Sequence, residues 1–330
     1  MILQPGVLAL VLSSLLVSGM VLFASWQGVR VLRAWDLSSG SARQLDLERS
    51  TYLVSTLLAA ALGIELVSLF LYVFTADAVA PLLAGAMCAA GTLRATAWGT
   101  PVLLLKLVNF LLAGVWLVVN HADALGYDYP LVRKKYALLL PLAPLVLLEA
   151  GGQLAHFAGI RPDVITSCCG SLFASGGDGL GADLAALPPG PSSVAFFVAV
   201  SAVLASGAVF YATGRGSAPF AVAAGLALPV ALVGIVSFVS PYLYEMPTHH
   251  CPFCLLQREY GYVGYPLYAT LLGGAVTGMG VGAIAPARRI ESLAVAVPVL
   301  QRRLACASMV LYAIFTMIVT WRLDASVLRS

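Results

Sequence analysis

Residues 7–26 read VLALVLSSLLVSGMVLFASW, a run of 20 residues with no charged side chain. An α-helix rises 1.5 Å per residue, so roughly 20 apolar residues cross the hydrocarbon core of a bilayer. Seven further apolar runs of similar length follow along the chain. The spans predicted in this way are residues 7–26, 52–74, 101–120, 137–157, 194–211, 220–239, 265–285 and 304–321.

The composition of the whole chain points the same way. Of its 330 residues, 60% are hydrophobic and only 10% are charged, with a mean hydropathy of +0.94. A soluble domain carries roughly 25% charged residues. We therefore predict an all-α integral membrane protein with about eight transmembrane helices, and membrane lipid as its main partner. The net charge of +3 and the lack of a basic run predict no nucleic-acid binding.

The Lys and Arg residues predict how the spans are oriented. The loops after the first, third, fifth and seventh spans hold 12 of them, whereas the other loops and the C-terminal tail hold 5. Cytoplasmic loops of membrane proteins are enriched in these residues. The first set of loops is therefore expected to be cytoplasmic, with both termini outside. We expect a multi-pass protein of the bacterial cytoplasmic (inner) membrane.

A connector rich in Gly, Pro and Ser divides the predicted spans into two sets of four. It covers residues 158–193, and this composition predicts a flexible outer loop that contains Cys168 and Cys169. The expected organisation is a four-helix half at 1–157, the loop, and a second four-helix half at 194–330.

The cysteines are concentrated on the predicted outer side. Cys88 lies between the second and third spans, Cys168 and Cys169 between the fourth and fifth, and Cys251 and Cys254 between the sixth and seventh. Cys306 is near the cytoplasmic end of the eighth span, where a small apolar residue needs no chemical role. Five of six cysteines on the oxidising side predict thiol chemistry.

The most informative segment is HHCPFCLLQREY, residues 249–260. Two thiols three residues apart can form a small, reducible disulfide. If a helix begins here, its N-terminal partial charge favours a thiolate. Arg258, four residues after Cys254 and seven after Cys251, would then share their helical face and could hydrogen-bond a quinone.

Cys-x-x-Cys followed by x-x-Gln-Arg and aromatic residues resembles the disulfide bond formation protein B (DsbB) family over residues 251–266. Those membrane thiol oxidases pass electrons from periplasmic dithiol proteins to quinone. The resemblance implies that Cys251 and Cys254 are a redox pair, and that Arg258, with Gln257 and Tyr262, binds ubiquinone or menaquinone. It also implies a soluble extracytoplasmic thiol protein as partner.

The chain departs from that family in two respects. The family has about four helices, and its second cysteine pair follows the redox pair, whereas Cys168 and Cys169 precede it here. This order is more similar to the vitamin K epoxide reductase family. An adjacent cysteine pair forms a strained, readily reduced ring. We therefore expect Cys168 and Cys169 to act catalytically as a shuttle between a soluble partner and Cys251, and the role of Cys88 stays open.

A rival interpretation of the same segment is a soft-metal site. Thiolate, imidazole and thioether groups together suit Cu(I) or Zn(II). The candidate ligands are Met246, His249, His250, Cys251 and Cys254, and Cys88, Cys168 and Cys169 could complete such a site. The protein would then bind or transport a soft metal. A third alternative is a non-catalytic membrane subunit of a larger complex.

Three charged residues lie inside predicted spans, where a charge is costly and usually has a partner or a function. At 1.5 Å per residue, Glu65, Lys106 and Glu149 fall at similar depth in the outer half. His156 shares a helical face with Glu149, seven residues earlier. We expect a cluster of these residues, acting either as a structural ion pair or as a proton path.

Overall fold

The computed structural model describes residues 3–36, 41–161 and 180–326. Regular secondary structure in these ranges is helical throughout. The α-helices are α1 (Pro5–Ala34), α2 (Ala42–Val79), α3 (Ala89–Arg94), α4 (Gly99–Asp123), α5 (Val132–Gly159), α6 (Leu180–Ala185), α7 (Pro189–Thr213), α8 (Ser217–Gly234), α9 (Ser240–Tyr244), α10 (Gly264–Ala283) and α11 (Ala296–Ala325).

Eight helical segments in the described ranges are long and apolar enough to cross a membrane. They are Pro5–Ala34, Ala42–Leu82, Gly99–Asp123, Val132–Gly159, Pro189–Thr213, Ser217–Tyr244, Gly264–Arg289 and Ala296–Asp324. Each predicted span lies within one of them. The prediction of an all-α membrane protein with about eight spans is therefore confirmed. The orientation of the spans stays a prediction.

The chain forms two compact units. The first comprises Met1–Tyr72, Ala97–Ile160 and Ala283–Gln301, and the second comprises Val73–Thr96, Arg161–Gly282 and Arg302–Ser330. The expected division at residues 157 and 193 stays a prediction, and Cys168 and Cys169 lie outside the described residues.

In the first unit, α5 packs against α1 and α4. The core contains Val21 of α1, Leu58 of α2, Trp116 of α4 and Tyr136 of α5, all completely buried. Close approach of the helices depends on small residues, as is usual between membrane helices. A Cβ atom added to Gly28 would lie 2.9 Å from the Tyr136 ring, so a side chain there would separate α1 from α5.

In the second unit, α10 uses glycine to approach its neighbours. A Cβ atom at Gly282 would lie 2.6 Å from Ala221 of α8, and Gly278 faces Ala224 of the same helix. The hydroxyl of Tyr312 in α11 donates to the carbonyl of Ala224 at 2.6 Å. Gly278 and Gly282 of α10 therefore serve helix packing. A five-residue π-helix, Ile235–Val239, joins α8 to α9.

Candidate thiol site

Three buried cysteines of the second unit converge on one point. The sulfur atoms of Cys88, Cys251 and Cys254 all lie within 4.8 Å of one another. Sγ of Cys88 is 3.6 Å from Sγ of Cys251, far beyond a disulfide bond of about 2.05 Å, so both are thiols. Cys88 and Cys251 are 0% exposed and Cys254 is 5% exposed. Lipid and water are therefore almost excluded from the sulfur atoms.

Asp77 holds the two segments that carry these thiols. One oxygen, Oδ1, accepts a hydrogen bond from the backbone N–H of Ala89 at 3.1 Å, directly after Cys88 at the start of α3. The same oxygen accepts from Nε2 of Gln257 at 3.0 Å. Asp77 therefore ties the Cys88 segment to the loop that contains Cys251 and Cys254.

Gln257 adds a second connection between the same segments. Its Nε2 atom also donates to the carbonyl of Met87 at 3.0 Å, next to Cys88. The two N–H groups of this amide thus donate one hydrogen bond to Asp77 and one to Met87. In this structure Gln257 positions the cysteine loop, while its predicted contact with quinone stays a prediction.

Two tyrosines fix the backbone of the cysteine loop. The hydroxyl of Tyr244 donates to the carbonyl of Cys251 at 2.6 Å, and that of Tyr268 donates to the carbonyl of Pro252 at 2.8 Å. Buried carbonyl groups need such partners. The sulfur atoms are consequently presented by a backbone that is held on both sides.

The prediction that a helix begins at the cysteine motif is wrong. Cys251 lies in irregular structure, Cys254–Leu256 is a single 3-10 turn, and Gln257 is extended with ψ 158°. The spanning helix begins only at Gly264, where a Cβ atom would lie 2.9 Å from the backbone of Leu255. The supposed helix N-terminus at the thiols therefore does not exist.

The position inferred for Arg258 fails for the same reason. An α-helical register would have placed its guanidinium on the face of the two thiols, but the extended residue before it breaks that register. Arg258 is exposed, and Tyr262 is 48% exposed with a positive φ of 56°. Their binding to quinone stays a prediction without this geometric support.

The histidines of the motif occupy different surroundings. Nε2 of His249 is 3.4 Å from Sγ of Cys254. Nδ1 of His250 instead donates to the carbonyl of Val236 at 2.9 Å, within the π-helix. Met246 is 44% exposed. Of the predicted metal ligands, the structure therefore brings Cys251, Cys254 and His249 together with Cys88, which was expected only as a possible further ligand.

A cavity of about 230 Å³ lies beside the motif in the second unit. Its walls include the aromatic rings of Phe238 and Tyr242 together with His250. A larger cleft of about 450 Å³ shares Phe238 and Tyr242 with it. π-Helical segments often occur at functional sites, and Phe238 belongs to one here.

The charged residues predicted inside the membrane come together in the first unit. Nζ of Lys106 is 2.5 Å from Oε1 of Glu149, and Glu65 lies buried within electrostatic reach of both. His156 is fully buried on the same helix as Glu149, with its ring 6.0 Å from that of Tyr72. The expected cluster is thus present, and both roles, ion pair and proton path, are compatible with it.

Asp77, Tyr244 and Tyr268 are residues of the thiol site that the sequence did not assign, and Cys88 was expected only as a possible metal ligand with an open redox role. Cys88 is 163 positions from Cys251, and only its place in a loop on the same predicted side as the motif pointed to it. Asp77 gave no signal beyond being an acidic residue near the end of an apolar span.

Comparison with known proteins gives no match to a family model, to a curated protein or to a solved structure, so function has to be inferred from the geometry of the site.

Proposed function

We propose that this protein is a membrane thiol–disulfide oxidoreductase whose reactive centre is the pair Cys251 and Cys254, with Cys88 as a third, exchanging thiol. The observation that carries the proposal is the convergence of three buried sulfur atoms within 4.8 Å. Thiol–disulfide exchange requires a thiolate to reach a disulfide sulfur directly. The 3.6 Å separation between Cys88 and Cys251 meets this requirement.

The proposed reaction is balanced by a two-electron acceptor. When Cys251 and Cys254 form a disulfide, two S–H bonds break, one S–S bond forms, and two electrons and two protons leave the pair. A quinone that takes up both becomes a quinol. Cys88 can then attack the disulfide at Cys251, which releases Cys254 as the leaving thiolate and forms a Cys88–Cys251 bond.

We place the quinone ring in the cavity lined by Phe238, Tyr242 and His250. Ligand sites are mostly apolar, with a few polar groups that fix orientation. The two aromatic side chains suit a flat ring, and His250 precedes Cys251 directly in the chain. The backbone connects the cavity to the thiols, which supports this position over one defined by Arg258.

Electrons would enter from a soluble extracytoplasmic dithiol protein. Because the three thiols of the cluster are almost fully buried, a folded partner needs an intermediary to reach them. Cys168 and Cys169 are proposed as this intermediary. The soluble partner would be oxidised to a disulfide while the disulfide of the membrane protein is reduced to two thiols. Quinone would then reoxidise the membrane protein.

A single-turnover experiment tests the proposal. The reduced protein in lipid nanodiscs is mixed without oxygen with a soluble short-chain ubiquinone or menaquinone analogue, and quinol and lost thiols are counted. We expect one quinol for each pair of thiols lost. Cys251→Ser and Cys254→Ser should abolish the reaction, while Cys306→Ser, which alters an exposed cysteine outside the cluster, should not change it. Equal quinol formation by the Cys251→Ser variant would refute the proposal.

A soft-metal site is the second candidate, favoured by His249. Two thiolates on one tetrahedral zinc ion with Zn–S bonds of about 2.3 Å lie roughly 3.8 Å apart, and the Cys88–Cys251 distance is 3.6 Å. His249, at 3.4 Å from Cys254, could supply a nitrogen ligand after a side-chain rotation. Three thiolates also suit Cu(I).

Metal analysis separates the two candidates. Protein purified under reducing conditions is equilibrated with Zn(II) or Cu(I) and a competing chelator. The metal candidate requires one tightly bound ion, lost in Cys88→Ser, Cys251→Ser and Cys254→Ser and retained in Cys306→Ser. The redox proposal requires quinol formation by the metal-free protein.

A further inference from the structure

The buried charges of the first unit form a second site, separate from the thiols. Glu65 lies on α2, Lys106 and Asn109 on α4, and Glu149 on α5. Their exposed fractions are 3%, 1%, 0% and 1% respectively. All four belong to segments that can cross a membrane. Ionisable side chains in such places usually mark a functional path.

Glu149 is the centre of this cluster. Its Oε1 atom is 2.5 Å from Nζ of Lys106, and its Oε2 atom accepts from Nδ2 of Asn109 at 2.6 Å. Lys106 also donates to Oγ of Ser68 at 2.9 Å. Glu65 is also buried and lies within electrostatic reach of Glu149 and Lys106. Two carboxyl groups and one ammonium group thus share a single buried cluster.

The charge balance of the cluster requires a proton. Two buried carboxyl groups, Glu65 and Glu149, share one buried ammonium group. Lys106 balances one negative charge. With one proton on the carboxyl pair the cluster is neutral. Without that proton it carries a net charge of −1, which costs several kcal/mol away from water.

Two buried amide oxygens near the carboxyl pair favour a proton carrier that reaches this pair. Among the described residues, no hydrogen-bond donor reaches Oδ1 of Asn109, although the same amide group contacts Glu149. The same is true of Oε1 of Gln153, one helical turn from Glu149. Both residues are 0% exposed. Acceptors in these positions suit a hydrogen-bonded proton carrier such as water, which needs polar partners when buried.

Near the carboxyl pair, the described part of α1 contributes no ionisable side chain. The first ionisable side chain of α1 is Arg30, and α1 faces α5 here through Ser14, which accepts from Gln153. On α2, the hydroxyl of Tyr72 donates to the carbonyl of Gly99. The groups in contact with the Glu149–Lys106 pair are Ser68 and Tyr72 of α2 and Asn109 of α4, and Gln153 and His156 follow Glu149 by four and seven residues on α5.

We propose that Glu65 and Glu149 form a proton-binding site within the membrane, with Lys106 as its fixed counter-charge. One carboxylate takes up a proton from water and becomes a carboxylic acid, and release reverses this step without any change of oxidation state. Asn109, Gln153 and His156 line the route on the α4 and α5 side. The site would exchange protons whether or not the thiols are redox-active.

Carbodiimide labelling of the full chain in nanodiscs tests the site. Dicyclohexylcarbodiimide enters lipid and adds to protonated carboxyl groups. We expect mass spectrometry to find the adduct on Glu65 or Glu149, at a rate that falls as the pH rises. Glu65→Gln should lower labelling of Glu149 by about tenfold or more, equivalent to ~1.4 kcal/mol in proton affinity, because the remaining carboxylate pairs with Lys106. Glu291→Gln, which alters an exposed residue, is the matched control and should change nothing.

Infrared spectroscopy of the parent protein decides the question even if a variant fails to fold. A shared, exchangeable proton gives a carboxylic acid C=O band at neutral pH that shifts within minutes in heavy water and disappears at high pH. A permanently locked structural proton would not exchange on this timescale. Lack of a protonated carboxyl band, a band that does not exchange, or labelling confined to exposed carboxyl groups would overturn the proposal.

Discussion

Replacing Asp77 should separate Cys88 from Cys251 without altering either thiol. The side chain of Asp77 accepts one hydrogen bond from Ala89 and one from Gln257, and these bonds join the segments that carry the two cysteines. Taking about 1.5 kcal/mol for a hydrogen bond to a charged group, the two bonds contribute about 3 kcal/mol. Since 1.4 kcal/mol is tenfold in an equilibrium constant, Asp77→Ala should lower the effective concentration of the two thiols by about 100-fold.

A glutathione redox buffer measures this effective concentration. In a Cys254→Ser background, Cys88 and Cys251 can pair only with each other within the three-thiol cluster. The ratio of reduced to oxidised glutathione at which half of this disulfide forms gives the equilibrium constant for the pair. This equilibrium constant depends on the spacing of the two thiols, so the assay is valid whether the natural function is redox chemistry or metal binding.

Two variants make the result specific. Asp77→Asn keeps an acceptor oxygen and should reduce the constant by less than about tenfold, because a neutral acceptor forms a weaker bond. Asp46→Ala on the same helix removes a side chain that is 72% exposed and should have no effect. If Asp77→Ala changes the constant by less than twofold, Asp77 does not hold the site together.

Three other variants test the fold around the two sites, each by thermal unfolding in detergent. Tyr244→Phe removes the hydroxyl that donates to the carbonyl of Cys251 and should destabilise the protein by about 1–3 kcal/mol. The thiols should also be alkylated faster, and an unchanged alkylation rate would contradict the proposed role of the hydroxyl. Gly278→Leu should prevent close packing against Ala224, and a melting temperature equal to that of the parent would contradict this contact. Lys106→Met should cost about 3–5 kcal/mol by breaking a buried ion pair, while Lys106→Arg should cost less, and equal losses from the two would argue against a charge effect.

The spans could be predicted from the sequence because lipid imposes a simple rule. Each needs roughly 20 apolar residues, and this requirement is local in the chain. The cluster of Glu65, Lys106 and Glu149 was predictable for a related reason. A constant rise per residue converts sequence position into depth, so residues of equal depth on neighbouring helices can meet. Neither rule depends on how the loops fold.

The thiol site was only partly predictable because loops decide it. Cys251 and Cys254 could be paired from their spacing, but the third thiol comes from a distant loop positioned by Asp77. The helical register assumed for Arg258 failed at the extended residue Gln257. Gly261 has a positive φ of 65° and Gly264 begins the helix, so these glycines after the motif were a signal that the helix starts later.

The most direct measurement is a thiol map of the purified protein before and after anaerobic exposure to quinone. Thiols are blocked with one alkylating reagent, disulfides are then reduced and labelled with a second, and each cysteine is assigned by mass spectrometry. We expect Cys251 and Cys254 to change from thiol to disulfide when quinone is added, with Cys306 unchanged. If both remain thiols while quinone is in excess, the three-cysteine cluster is not a quinone-coupled redox centre.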